Sequence, residues 1–219
     1  MRQIAKGTPP TSLTHWVNAS KNTDTTVRYS DLPGNIRGDV LNSLIAEQGG
    51  ICVYTGRRIK QNSAHIEHLK AQAYCSSGED VAYANMVACY PAPNTGTCPY
   101  GAHQKGSWPD PNNPAEAGQF VSPLTGGCEK RFHYAYSGRV KEADGDEAAQ
   151  KTIEKLKLNH VELTELRKAV IRNTLAPRDN PLSKAQAETR LKSLQAQTNP
   201  LDEFHFVIIQ QLARHIHKD

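Results

Sequence analysis

Apolar residues fall in three different rhythms along this chain, and each predicts a different kind of element. Between residues 35 and 48, NIRGDVLNSLIAEQ, Val40, Leu41, Leu44 and Ile45 share one face at helical spacing, and Gly49–Gly50 follow as a stop. A helix is predicted there. The next run, ICVYTGRRI, is rich in β-branched residues around Thr55–Gly56 and predicts a hairpin with a tight turn. Residues 64 to 69 are short and extended, and residues 79 to 90 begin a helix or turn that returns the chain to the hairpin. From 91 to 127 Pro, Gly and Asn dominate, which predicts mostly loop. In CEKRFHYAYSG, Phe132, Tyr134 and Tyr136 alternate with polar residues, as in a half-buried strand; the basic–aromatic interleaving also suits stacking on bases.

The last third returns to the helical rhythm. EAAQKTIEKLKLN, VELTELRKAVIRNTL, SKAQAETRLKSLQAQ and DEFHFVIIQQLARHI are four helical patterns. Leu163, Leu166 and Val170 share a face, as do Phe204, Ile208, Leu212 and Ile216, while Pro177, Pro181 and Pro200 punctuate the joins. The fold class is therefore α+β and mainly helical. Three segments are expected: an N-terminal arm over 1–32, polar with a lone Trp16; a core of mixed structure over 33–140; and a helical C-terminal region over 141–219.

Composition narrows the setting. The chain has 219 residues, 37% of them hydrophobic, and no apolar run near the roughly 20 residues of a spanning helix. The first residues, MRQIAKGTPPTSLTHW, have no apolar stretch of the secretory kind, so a cytoplasmic location without membrane association is expected. A net charge of +4 permits a phosphate-bearing partner without demanding one. Five cysteines, Cys52, Cys75, Cys89, Cys98 and Cys128, are an odd number and argue against a disulfide framework.

The candidate chemistry starts at SAHIEHLKAQ, where the acid Glu67 directly precedes His68. Asn85 follows in YANMVACY and His103 in YGAHQKGSW. Phosphodiester hydrolysis needs these residue types. An imidazole near its ordinary pKa can deprotonate water. A carboxylate with an imidazole can hold one divalent ion with open positions. An asparagine can fix a histidine ring by hydrogen bonding. Each residue also has a plainer reading: Glu67–His68 as a surface pair, Asn85 as a helix cap, His103 as a loop histidine. His65 is expected to point away from His68, as a structural or substrate-facing residue. His133, His160, His205, His215 and His217 have no acid or cysteine at a useful spacing and read as surface or packed histidines.

The words CVYTGRRI, HIEHLKAQ, YANMVACYP, AHQKGSW, CEKRFHYAYSGRV and TIEKLKLNHVELTELRKAVI, between about residues 45 and 175, resemble the HNH (ββα-metal) endonuclease family. Within it they are similar to the PtuB-type nuclease subunits of Septu and retron-associated anti-phage systems. The resemblance implies a ββα-metal core with a helical C-terminal layer. It implies a metal-dependent endonuclease acting on DNA or RNA (tRNA included), and a toxic effector held by a PtuA-type ATPase, with a retron reverse transcriptase and its msDNA as further partners. It also implies roles. Glu67 and His103 would be metal ligands for Mg²⁺ or Mn²⁺, His68 the general base and Asn85 its orienting residue. Lys105 would contact the phosphate or support the loop. The rival reading is a non-catalytic HNH-fold scaffold within a defence complex.

The cysteines depart from the family pattern. Where two Cys-x-x-Cys pairs would hold structural zinc, this chain has Cys52-x-x-Thr55 and a Cys89 without its usual partner. Loss of zinc is expected; the alternative is an unusual site completed by Cys98 or Cys75. Trp16 and the helix around Phe204 and Leu212 are candidate contacts for the ATPase.

Overall fold

A computed structural model of the chain describes residues 1–22 and 27–217. It is an α+β structure in which helices predominate and the strands form two separate antiparallel pairs.

The first pair carries the region of interest. Helix α2, Gly34–Glu47, buries Ile36, Val40 and Leu44, spaced four apart on one face. It ends because Gly49 and Gly50 take φ of 65° and 72°, a region that L side chains adopt only with strain. The expected hairpin over ICVYTGRRI is a tight turn closed by a single bridge between Ile51 and Arg58, with no strand on either side. Strand β1, His65–His68, pairs instead with strand β2, Met86–Cys89; His65 lies opposite Cys89 and Glu67 opposite Val87. The returning segment therefore pairs with 65–68 and not with the turn at 51–59.

The far edge of β2 is closed by the buried Gln48. Its Oε1 accepts from Ala88 N at 2.7 Å, and its Nε2 donates to Ala88 O at 2.8 Å and to Ile51 O at 3.0 Å. One side chain thus satisfies both backbone groups that a third strand would have taken. Helix α3, Ala102–Lys105, is a single turn that returns the loop to β1.

The second pair, β3 (Phe132–Tyr134) and β4 (Val140–Glu142), begins the C-terminal layer. Phe132 and Tyr134 face inward as the alternation predicts, but the strand ends before Tyr136, which is 55% exposed. Base stacking by Phe132 and Tyr134 is excluded by that burial. Helices α4 (Glu147–Lys155), α5 (Val161–Leu175), α6 (Lys184–Gln195) and α7 (His205–Ile216) follow. Asp146 caps α4 by accepting from Ala149 N, and Ser183 forms a capping box with Gln186 on α6. The buried face of α5 carries Leu163, Thr164, Arg167, Ile171 and Leu175.

The segments read from the sequence are parts of one packed body. A continuous hydrophobic cluster runs from Met1 to Ile216. The arm contains a helix, α1 (Thr11–Asn22), which its polar sequence did not announce. It is tied down by Arg2 N to Val53 O at 2.8 Å and Ile4 N to Pro123 O at 2.9 Å. Phe204 and Leu212, expected to face a partner, lie in this chain's own core and are unavailable; Trp16 is half-buried. Among the described residues no helix is long and apolar enough to cross a membrane.

The packing of the β3–β4 turn on α5 gives a direct test. Gly138 has φ of 80°, and a Cβ there would stand 2.1 Å from Thr164 O. Gly138→Ala is expected to destabilise the protein by roughly 3 kcal/mol, from strain and overpacking together. Urea unfolding of the two proteins measures it; an equal midpoint would mean that the turn does not sit on α5 as described.

Candidate active site

Strand alternation decides which residues of HIEH meet. Successive side chains point to opposite faces, so His65 and Glu67 share one face while His68 takes the other. Neighbours in sequence, Glu67 and His68 are thereby separated. His65 Nε2 lies 4.0 Å from Glu67 Oε2. From α3, His103 brings its ring to 5.2 Å from that of His65, and Lys105 brings its ammonium to 3.1 Å from Glu67 Oε1. Two imidazoles, a carboxylate and a lysine converge where β1 meets α3.

His68, expected as a base on a solvent-open face, is buried at 5% exposure. Its Nε2 donates to Asp80 O at 2.8 Å, its Nδ1 faces the Gln72 amide at 3.0 Å, and Tyr29 packs edge-on at 4.7 Å between ring centroids. A carbonyl can only accept, so Nε2 holds the proton and Gln72 occupies the remaining lone pair. Burial pushes the His68 pKa down, partly opposed by the hydrogen bond to Asp80. Both ring nitrogens are engaged in holding the 69–80 loop. The base assignment to His68 is corrected on this ground.

Asn85 does not orient His68. Its Oδ1 accepts from Lys70 N at 2.8 Å, and its Nδ2 donates to Lys70 O at 3.1 Å and Glu79 O at 3.4 Å. It closes the same loop from the other end. His103 stands beside β1, its ring centroid 5.2 Å from that of His65. Lys105, whose side chain is 1% exposed, donates to His68 O at 2.9 Å and cannot reach a phosphate in solvent. Of its two expected roles, the supporting one is what the geometry provides.

His65 is the residue that sequence reasoning set aside. The signal was present: His65 and Glu67 are two apart on an extended strand and so share a face. Its Nδ1 lies 2.6 Å from Pro91 O, which fixes the proton there and leaves the Nε2 lone pair free.

The charges at this site are finely set. Burial pushes the Glu67 carboxyl up, and Lys105 pulls it back. Burial, and then His65, lower the His103 pKa. Glu67 Oε1 is buried without a well-aligned hydrogen bond, because Lys105 meets it as an ion pair and bonds along a better line to His68 O. Among the described residues no three of His, Cys, Asp and Glu converge tightly enough to enclose a metal ion. A hard divalent cation does not need that. Mg²⁺ is commonly held by one or two carboxylates, with water and substrate phosphates filling the rest. Glu67 would be the carboxylate offered to such an ion, through Oε2, the oxygen that Lys105 does not meet.

Structural zinc fits less well. Cys52 and Cys89 are fully buried and in hydrogen-bonding contact, with Thr55 beside them. Against the upward push of burial, bonds from Cys89, Thr55 and nearby backbone lower the Cys52 pKa to about 5, while burial and Cys52 raise that of Cys89. Cys75 lies in the 69–79 loop against Ala71 O and Asn85. Two thiols and a threonine are short of four zinc ligands; Cys98 comes close enough to Cys52 for its charge to be felt but forms no metal-sized cluster with the pair among the described residues, and the pair packs the 51–59 turn on the end of β2.

Comparison with protein-family models finds no match, and neither does comparison with curated proteins.

Proposed function

We propose that the chain is a divalent-metal-dependent nuclease that hydrolyses phosphodiester bonds at the face formed by His65, Glu67 and His103. The observation that carries this reading is the free Nε2 lone pair of His65, 4.0 Å from a carboxylate oxygen of Glu67. A base and a cation-binding acid side by side are what water attack on a phosphodiester requires. The order β1, β2, α3, with the site between the first strand and the helix, supports a ββα-metal core and agrees with the HNH resemblance.

Glu67 would hold the ion, which would polarise the scissile phosphate. His65 Nε2 takes the proton of the attacking water. As the water oxygen bonds to phosphorus the ester oxygen departs and is reprotonated from solvent. Pro91 O keeps the His65 ring in the tautomer that can accept. Lys105 fixes the Glu67 carboxylate from beneath. The resemblance extends the proposal to a cytoplasmic anti-phage effector working with a PtuA-type ATPase.

The test is incubation of the full chain, alone and with its ATPase partner, with supercoiled plasmid and with total RNA. Mg²⁺ or Mn²⁺ should give cleavage of at least one substrate, and EDTA should stop it. No cleavage of either under any of these conditions overturns the reading in favour of a scaffold.

A further inference from the structure

The segment between β2 and α3 holds the two imidazoles in opposite proton states. Pro91 O, 2.6 Å from His65 Nδ1, can only accept a hydrogen bond. His65 therefore carries its proton on Nδ1 and a lone pair on Nε2. Cys98 N–H, 3.0 Å from His103 Nδ1, can only donate. His103 therefore keeps its lone pair on Nδ1 and, as a neutral ring, carries its proton on Nε2. The two rings are 5.2 Å apart. One segment thus makes one histidine an acceptor and its neighbour a donor.

We propose that His103 is a neutral hydrogen-bond donor to the scissile phosphodiester through Nε2–H, and not a ligand of the metal ion. This rests on the nuclease reading and assigns a residue within it. A metal at Nε2 would take the lone pair of that nitrogen and drive the ring proton to Nδ1. Nδ1–H would then face Cys98 N–H, donor against donor, at 3.0 Å. The bond that sets the ring's orientation would be lost.

A second observation points the same way. A phosphate site usually draws a lysine or arginine, but the lysine here is buried and engaged. Lys105 Nζ is held by Glu67 and by His68 O. His103 is half-buried, not enclosed as Lys105 is. When water attacks, negative charge grows on the non-bridging phosphoryl oxygens. A fixed N–H donor placed there is stronger in the transition state than in the ground state. The electron count is simple: the P–O bond to water forms, the ester P–O bond breaks, the water proton goes to His65, and His103 keeps its own proton throughout.

The experiment compares His103→Ala, His103→Gln and Glu67→Ala with the wild-type chain. Mn²⁺ affinity is measured by calorimetry without substrate, and kcat on whichever nucleic acid the wild type cleaves. His103→Ala is expected to bind Mn²⁺ as the wild type does and to lose about 10²-fold in kcat, the usual effect of removing one such donor. His103→Gln, whose amide can donate, should recover about tenfold of that loss. Glu67→Ala should lose Mn²⁺ binding. A His103→Ala protein with weakened Mn²⁺ binding, whose activity returns at high Mn²⁺, overturns the donor role and makes His103 a ligand. An unchanged kcat in His103→Ala also overturns it. A wild-type chain that cleaves nothing removes the nuclease reading itself, and this assignment falls with it.

Discussion

His65→Ala is expected to lose about 10²–10⁴-fold in kcat while its melting temperature falls only a little. His68→Ala is expected to do the reverse. The His65 side chain is partly exposed, and its one anchoring bond is to the carbonyl of the buried Pro91, which water can reach through the space that the ring vacates. Removing it takes away the proton acceptor and little packing. His68 is enclosed by Tyr29, Gln72 and Asp80. Its removal leaves the buried Asp80 carbonyl without a donor, which costs about 1–3 kcal/mol, and a fall of roughly 2–4 °C in Tm for each kcal/mol in a chain of this size. Kinetics and thermal melting of the two variants separate the roles. Added imidazole should restore part of the activity of His65→Ala, because a small base can enter an open site. Activity lost in His68→Ala at unchanged Tm, with His65→Ala fully active, would return the base to His68.

The exchange of these two histidines shows where the sequence was legible. The helical periods of α2 and of the C-terminal region report packing of a face against a core, and the structure has helices there. Alternation in β3 located Phe132 and Tyr134 correctly for the same reason. The same rule, applied along HIEH, already separates Glu67 from His68. Reading the acid–His pair as a unit overrode it. Helix α1 was illegible because few of its described residues are buried: Leu13 is fully enclosed, and Trp16 and Val17 are half-buried. Strand β2 is buried along its whole length, so it has no alternation to read, and its partner could not be told from its own sequence. The burial of Lys105 is wholly tertiary. Nothing in AHQKGSW says that a one-turn helix will direct that ammonium beneath β1.

Lys105 also gives the largest expected effect on stability. The ammonium and the Glu67 carboxylate are 3.1 Å apart, with side-chain exposures of 1% and 16%. Lys105→Met keeps the aliphatic bulk and leaves Glu67 with its burial uncompensated, which typically costs about 3–5 kcal/mol. Burial already raises the Glu67 pKa, and Lys105 is the main influence opposing it. Without Lys105 the folded-state pKa of Glu67 moves further above its unfolded value. The folded state then binds the proton more tightly than the unfolded state, so stability is greatest below the unfolded pKa and falls as pH rises through the folded one. Lys105→Met should accordingly be much less stable than the wild type at pH 8 and approach it near pH 4.5, where Glu67 is substantially protonated. Adding Glu67→Gln to Lys105→Met should recover most of the loss at pH 8, since a neutral amide needs no counter-charge. Urea unfolding of the single and double variants at both pH values reads this directly. A loss of the same size at both pH values, not relieved by Glu67→Gln, would mean that Lys105 acts through its bond to His68 O, and that the charge of Glu67 is balanced in some other way.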